Sequence, residues 1–312
     1  MILLHLNLFP FSAPSPSSSS SSSLSNPSNA PRFRITKIPS FKPLLALPST
    51  HHFSSEPGLN FRRKLLYLEN DLGISPSFAL TQNPNLRSFP LTSIVSITFF
   101  LHQHFGITHL HDAGRILSMH PILLTCTPES DLLPVACFLS NVVGISRLDD
   151  LRKAVVRCPR ILVTDVDSQL KPTLYFLRRI GFIGAHEINT QTSLLLVSSV
   201  ETTLIPKLDY FQSLGFSYKE AVKLVLRSPR LFTHSIENNF KPKVEFLVRE
   251  MGRDVRDIED FPQYFSFSLE KKIKPRHQAL VEHGLNMTLS EMLKISDGEF
   301  NDRLRKMRFG FI

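Results

Sequence analysis

A proline, a second proline 13 positions later and a closing glycine recur along this chain at intervals that only a repeat architecture accommodates. Three segments align by eye: CPRILVTDVDSQLKPTLYFLRRIGF from Cys158, SPRLFTHSIENNFKPKVEFLVREMG from Ser228 and FPQYFSFSLEKKIKPRHQALVEHGL from Phe261. Their proline pairs are Pro159 with Pro172, Pro229 with Pro242 and Pro262 with Pro275, and Pro121 with Pro134 keeps the same spacing of 13. In a fourth copy Ser193 replaces the first proline and Pro206 keeps the second, while the earliest copy has Pro84 followed by Ile97. Gly106, Gly144, Gly181, Gly215, Gly252 and Gly284 close the units 22 or 23 residues after the first marker, and successive markers lie 33 to 38 residues apart. A period of this length is the signature of stacked supersecondary units.

Each mark has a local physical reason. Proline suits the first turn of a helix, where its missing N–H leaves no bond unmade, and glycine adopts the left-handed conformation that ends one. Pro206 to Leu214 therefore reads as one helix with Leu208, Phe211 and Leu214 on a shared face. Ser217 with Glu220 forms a capping box for the next, which runs through Ala221, Leu224 and Val225 and stops before Pro229; Thr288 with Glu291 repeats the box. A short turn such as Arg230 to His234 leads into the next unit. Two antiparallel helices and a turn cannot bury their apolar faces alone, so stacked copies share a core. The expected fold is all-α, a right-handed-type helical-repeat solenoid of about six helix–turn–helix units. The repeats span 84–285, with an N-terminal helical cap at 54–83 and C-terminal capping helices at 286–312.

The register also sorts the cations. Six positions before the first proline stand Arg115, Lys153, Lys223 and Arg256, with Glu187 and Phe78 in the other copies. Lys171, Lys241 and Lys274 precede the second proline, and Lys207, Lys243 and Arg276 follow it. Arg157 with Arg160, and Arg227 with Arg230, flank two of the first prolines. In an antiparallel pair the start of the first helix and the end of the second share one end, so most of these 14 cations are expected to form a stripe along one edge. A stripe of this kind is the footprint of a phosphate backbone. The bland alternative is that cations near helix C-termini favour the macrodipole and line solvated faces. No set of Asn, Gln or Arg recurs as a base code, so sequence readout is not legible.

The SPRLF, FKPKVEFL and SLGFSYKEAVKLVLRSPRLF stretches, across about Pro84 to Leu285, resemble the repeat of the mitochondrial transcription termination factor family, and LKISDGEFNDRL at Leu293 to Leu304 is similar to the closing segment of its plant members. The resemblance implies a curved helical solenoid whose positive groove binds double-stranded DNA or structured RNA. It implies work in transcription termination, transcript processing, splicing or ribosome assembly within organelles, with protein partners of that machinery.

Composition sets the remaining bounds. From Met1 to about His52 there is no acidic residue, and serine runs unbroken from Ser17 to Ser23. That is transit-peptide composition, so 1–53 is expected to be a disordered leader directing the chain to the chloroplast, with the mitochondrion as the alternative. The formal net charge is +9; Arg32, Arg34, Lys37 and Lys42 against Glu56 put +3 of it in 1–60, leaving +6 for the rest. No run of about 18 uncharged apolar residues suggests a membrane span, and Leu91 to Phe105 reads as a buried helix. Cys126, Cys137 and Cys158 lack metal-ligand spacing and read as small core residues. His102, His104, His109 and His111 lack the i,i+4 spacing of a helical metal pair. Asp149, Asp150, Asp165 and Asp167 fall where capping acids belong. No catalytic residue and no cofactor is expected, and a monomer is. The rival function is a protein-binding scaffold, whose exposed concave face would be apolar.

Overall fold

The computed structural model describes residues 57–308, and every regular element among them is helical. One unit shows how the sequence builds all of them. Pro229–Thr233 is a short 3-10 helix. Ser235 then caps the next helix, its hydroxyl accepting the N–H of Asn238. This helix opens with a wide turn, Ile236–Phe240, and continues through Lys241–Glu245 and Phe246–Glu250. Gly252, at φ 59°, closes it. Asp165, Ser199 and Ser268 cap the corresponding helices in the same way, accepting from Ser168, Thr202 and Lys271.

These caps correct the expected helix start. The second prolines lie not in the first turn but seven residues beyond the cap, as Pro206 does beyond Ser199. A proline inside a helix breaks one bond, and its ring presses on the carbonyl four residues back. The wide turn resolves this conflict: Leu204 donates to Ser199 O, and Phe240 to Ser235 O, both five residues back. Widening just before the proline opens the ladder where the ring needs room. The second helix of that unit, Tyr218–Arg227, begins and ends as expected, with both halves of the Ser217–Glu220 box made. The Thr288–Glu291 box is also complete.

Unit length follows the second helix. Where first markers stand 36 to 38 residues apart that helix has ten residues: Leu110–Met119, Leu148–Arg157 and Tyr218–Arg227. Where they stand 33 or 34 apart it shrinks to Asp257–Asp260 or to the single 3-10 turn Gly184–His186. The segment before Pro84 also has a unit's order: a helix over Pro57–Leu66 and Tyr67–Asp71, then Gly73 at φ 64°, then Pro76–Gln82.

Neighbouring units meet through their 3-10 turns. Pro121–Thr125 touches both Pro84–Arg87 and Pro159–Val163, the latter touches Ser193–Val197, and Pro229–Thr233 touches Pro262–Ser266. One continuous apolar core runs beneath them. Part of it is an aromatic cluster that crosses three units: Phe211 lies 5.1 Å from Phe240, which lies 4.8 Å from Phe265. Each such ring contributes roughly 1.5–3 kcal/mol by burial. Leu91–Phe105 is a core helix, burying Ile94, Ile97, Phe100, Leu101 and Phe105. Among the described residues no single helix is long and apolar enough to cross a membrane.

Candidate nucleic-acid interface

The cations that share a register in sequence separate into four environments in space. Lys207, Lys243 and Arg276, directly after the second prolines, lie inside the molecule. Lys207 donates to Phe232 O and Lys243 to Phe265 O at 2.7 Å. Arg276 donates to Met292 O at 2.6 Å and to Ile295 O at 3.1 Å, pairs with Asp297 at 2.5 Å, and covers the Phe300 ring. Each ties its own first helix to the next segment by satisfying carbonyls that would otherwise be buried unpaired. Burial pushes the Lys207 ammonium below its ordinary pKa and brings Lys243 down to about 8. The Asp297 carboxyl is lowered by its hydrogen bond with Arg276 and by that residue's charge. Where Thr173 takes the place of the cation, Thr173 and Gln169 together reach Ser198 O. These three side chains are struts between units, because a stem of methylenes can be buried while its head finds main-chain acceptors.

Sequence reasoning missed a fourth strut. Lys64 is 4% exposed and donates to the carbonyls of Leu86, Arg87 and Phe89 at 2.6–2.9 Å. Its signal was present, since Lys64, Lys207, Lys243 and Arg276 all stand eight or nine residues before a closing glycine. Arg253, also missed, links Asp257 at 3.1 Å to Asn286 Oδ1 and Met287 O.

The cations before the second prolines are exposed but paired along their own helices. Lys171 meets Asp167 at 2.5 Å, Lys241 meets Glu237 at 2.6 Å and Lys274 meets Glu270 at 2.5 Å. Lys153 sits 3.7 Å from Asp150. Exposed i,i+4 pairs contribute about 0.3–0.5 kcal/mol each, so a phosphate can compete for these lysines.

A third group bridges units. Lys223 pairs with Glu259 at 3.0 Å. Arg227 donates to Glu259 O and, at 2.9 Å, to Asp260 O. Arg256 pairs with Glu220 at 3.1 Å, donates to Gly215 O at 2.7 Å and covers the Phe216 ring. Glu220 is held at about 2, first by the Ser217 N–H of its capping box, then by Arg256 and the Ser217 hydroxyl.

Arg115, Arg157, Arg160 and Arg230 make up the fourth group. All are exposed, and none makes an ion pair or side-chain hydrogen bond with another described residue. Arg157 ends the helix Leu148–Arg157, where a cation favours the dipole. Arg160 and Arg230 stand at the second position of a 3-10 turn, the end where a cation gains nothing from the dipole. Capping therefore does not account for these two.

Other candidate groups resolve more simply. Asp165 caps its helix as expected, and bonds from Ser168 lower its carboxyl. Cys126 and Cys158 are half-buried, with burial pushing Cys126 up to about 11, but Cys137 is exposed and is not a core residue. The His104 ring stacks on Phe100 at 4.2 Å. Among the described residues no three His, Cys, Asp or Glu side chains come together where they could hold a metal ion. A groove of about 400 Å³ lies where the third unit lacks a full second helix, between Gly144–Arg147 and Gly184–Thr190.

Comparison with known proteins now decides the family. The mTERF family model matches residues 144–301, just over half of the 312-residue chain. The chain belongs to the mTERF family. It is similar to the chloroplastic transcription termination factor MTERF2 of Arabidopsis thaliana, 38% identical over 111 residues that cover 36% of this chain and 17% of the relative. It is also similar to the chloroplastic MTERF4 of Oryza sativa subsp. japonica, 28% identical over 109 residues, 35% of this chain and 21% of that one. The mitochondrial MTERF15 of Arabidopsis thaliana is 31% identical over 74 residues, 24% of this chain and 16% of the relative. The segment that this mTERF chain shares with each of them is about a fifth of the relative's length.

Proposed function

We propose that this mTERF-family chain is an organellar nucleic-acid-binding protein that regulates plastid gene expression, in transcription termination, transcript processing or splicing. The observation that carries the reading is the repeated, unneutralised arginine on the stacked 3-10 turns. Arg160 and Arg230 hold the same register position two units apart, face solvent, and make no ion pair with another described residue. Arg157 and Arg115 extend the row in their units. Guanidinium groups suit phosphate because their donors form a rigid fork that matches its oxygens. The relatives support the reading, since they are named as transcription termination factors. The serine-rich, acid-free stretch 1–53, which lies outside the described residues, supports a plastid address.

A second reading is favoured by one specific feature. Around Pro121 the positions that Arg157 and Arg160 hold around Pro159 are taken by Met119 and Ile122, 56% and 59% exposed. Apolar side chains there suit a protein partner at the N-terminal end of the row.

The test is binding of the full chain to duplex DNA and to structured RNA of plastid sequence, from 50 to 200 mM salt. The reading expects tight binding at the low end and loss of affinity by orders of magnitude at the high end. Salt-insensitive binding, or none at 50 mM, would leave the protein-scaffold reading in its place. Import of the precursor into isolated chloroplasts and mitochondria decides the compartment; cleavage in mitochondria alone refutes the plastid address.

A further inference from the structure

The register gives Arg227 the position of Arg157 and Lys223 that of Lys153, two units further on, yet their surroundings differ. The ten-residue helix Tyr218–Arg227 faces the short helix Asp257–Asp260 of the next unit, whose sequence is Asp-Ile-Glu-Asp. The Glu259 carboxylate takes the Lys223 ammonium at 3.0 Å, and the Lys223 side chain remains 60% exposed while doing so. The last carbonyls of the short helix, Glu259 O and Asp260 O, take both terminal nitrogens of Arg227. A carboxylate and two carbonyl oxygens thus stand where phosphate oxygens would stand against a bare row. The Asp260 side chain is exposed beside them. C-terminal to Arg230, every other cation of the row has a partner inside the chain: Lys241, Lys243, Arg256, Lys274 and Arg276.

We infer that the acidic helix Asp257–Asp260 substitutes for phosphate on Lys223 and Arg227, so that the unneutralised part of the nucleic-acid path ends at Arg230, on the first turn of the fifth unit. The inference rests on the function proposed above and narrows its site. Arg115, Arg157, Arg160 and Arg230 are the cations of the row that a phosphate meets without displacing an internal partner, and beyond Arg230 the fifth and sixth units hold only paired cations of the row. Electrostatics supports the division. A phosphate approaching Lys223 must displace Glu259 and then lie beside its charge and that of Asp260, so the exchange gains little and meets like-charge repulsion. Nothing of the kind guards Arg157 or Arg160, neither of which makes an ion pair with another described residue.

The experiment uses the full chain as wild type, Lys223→Ala, Glu259→Gln and Arg157→Ala, with the salt slope of duplex-DNA binding as readout. Each phosphate neutralised contributes about −0.9 to the slope of log K against log salt. Arg157→Ala is expected to flatten the slope by about 0.9, and Lys223→Ala to leave it unchanged. Glu259→Gln frees Lys223 and removes the repelling charge, so it should steepen the slope by about 0.9 and raise affinity at low salt. A Lys223→Ala chain that loses as much slope as Arg157→Ala overturns the inference, because Lys223 would then already be on phosphate. An unchanged slope for Glu259→Gln, in protein whose melting curve matches wild type, overturns it as well. Absence of salt-dependent binding by wild type would instead refute the proposed function, and this inference with it.

Discussion

Replacing Lys243 with methionine separates a strut from a phosphate contact. In wild type the Lys243 amine donates to Phe265 O at 2.7 Å, and the Tyr264 hydroxyl donates to Lys243 O at 2.9 Å. Methionine keeps the length and the apolar stem but leaves the Phe265 carbonyl unmet, a cost of about 1–3 kcal/mol. At neutral pH that cost is partly offset, since the variant no longer buries an ammonium. The offset must fade as pH rises. Burial lowers the folded pKa to about 8 from an ordinary 10.5, so between those values the unfolded chain binds the extra proton and wild-type stability increases with pH. The neutral amine still has N–H groups, so the bond to Phe265 persists. The interval corresponds to ~3 kcal/mol at most, and solvent screening reduces the expected gain to about 1–2 kcal/mol. Urea unfolding followed by circular dichroism at pH 7 and pH 9.5 is the assay. Lys243→Met should be less stable by about 1 kcal/mol at pH 7 and by about 2–3 kcal/mol at pH 9.5. A gap that stays constant or narrows would refute the burial argument, and a variant as stable as wild type at both values would mean that Lys243 is no strut.

Two glycines give opposite expectations for the same substitution. A Cβ on Gly114 would lie 1.8 Å from the Leu72 carbonyl oxygen, whereas nothing lies within 4 Å of one on Gly298. Alanine gains about 1 kcal/mol of helix propensity in each case, but the backbone shift at Gly114 outweighs it. Gly114→Ala should therefore cost about 2 kcal/mol or more, lowering Tm by several degrees, while Gly298→Ala leaves Tm unchanged or slightly raised; equal effects at both sites would refute the close approach of the two segments. Acid stability tests the capping network. Glu220, at about 2 in the fold against an ordinary 4.5, contributes stability that is present above 4.5 and is lost as pH falls toward 2. Glu220→Gln should flatten the fall of Tm between pH 5 and 2.5, and a parallel fall in both proteins would show that the carboxylate contributes nothing there.

The parts of the fold that were legible are those a single residue type enforces locally. Gly106, Gly144, Gly181, Gly215, Gly252 and Gly284 all adopt positive φ as their spacing implied, and Ser217 with Glu220 starts a helix where the box said it would. The second prolines misled because proline at the first turn is the common case, whereas here a widened turn carries it inside. The caps Ser199, Ser235 and Ser268 stand six residues after each first marker, a signal that the proline register obscured. Site residues were harder for a different reason. Register assigns a position, but not whether its head reaches water or a neighbour's carbonyl. Lys241 and Lys243 differ by two residues, and one is 54% exposed in a surface pair while the other is 5% exposed. The partner that decides this, Phe265, lies 22 residues away in the next unit. For Lys223 the deciding residue is Glu259, 36 positions on, and no local pattern announces it. A charge reversal at Lys223 and Arg227 would for that reason disturb the joint between units as well as any ligand contact.

The most direct test of the account compares wild type with a chain carrying alanine at Arg115, Arg157, Arg160 and Arg230, in duplex-DNA binding across a salt series. None of the four has a protein partner among the described residues to lose, so the fold should survive and melting curves should superimpose. The account predicts that wild-type log K falls steeply with log salt and that the variant's slope is shallower by about 3–4, four phosphates at roughly 0.9 each. Equal slopes in the two proteins would mean that the unneutralised arginines do not face nucleic acid, and the interface proposed for this mTERF-family chain would be wrong.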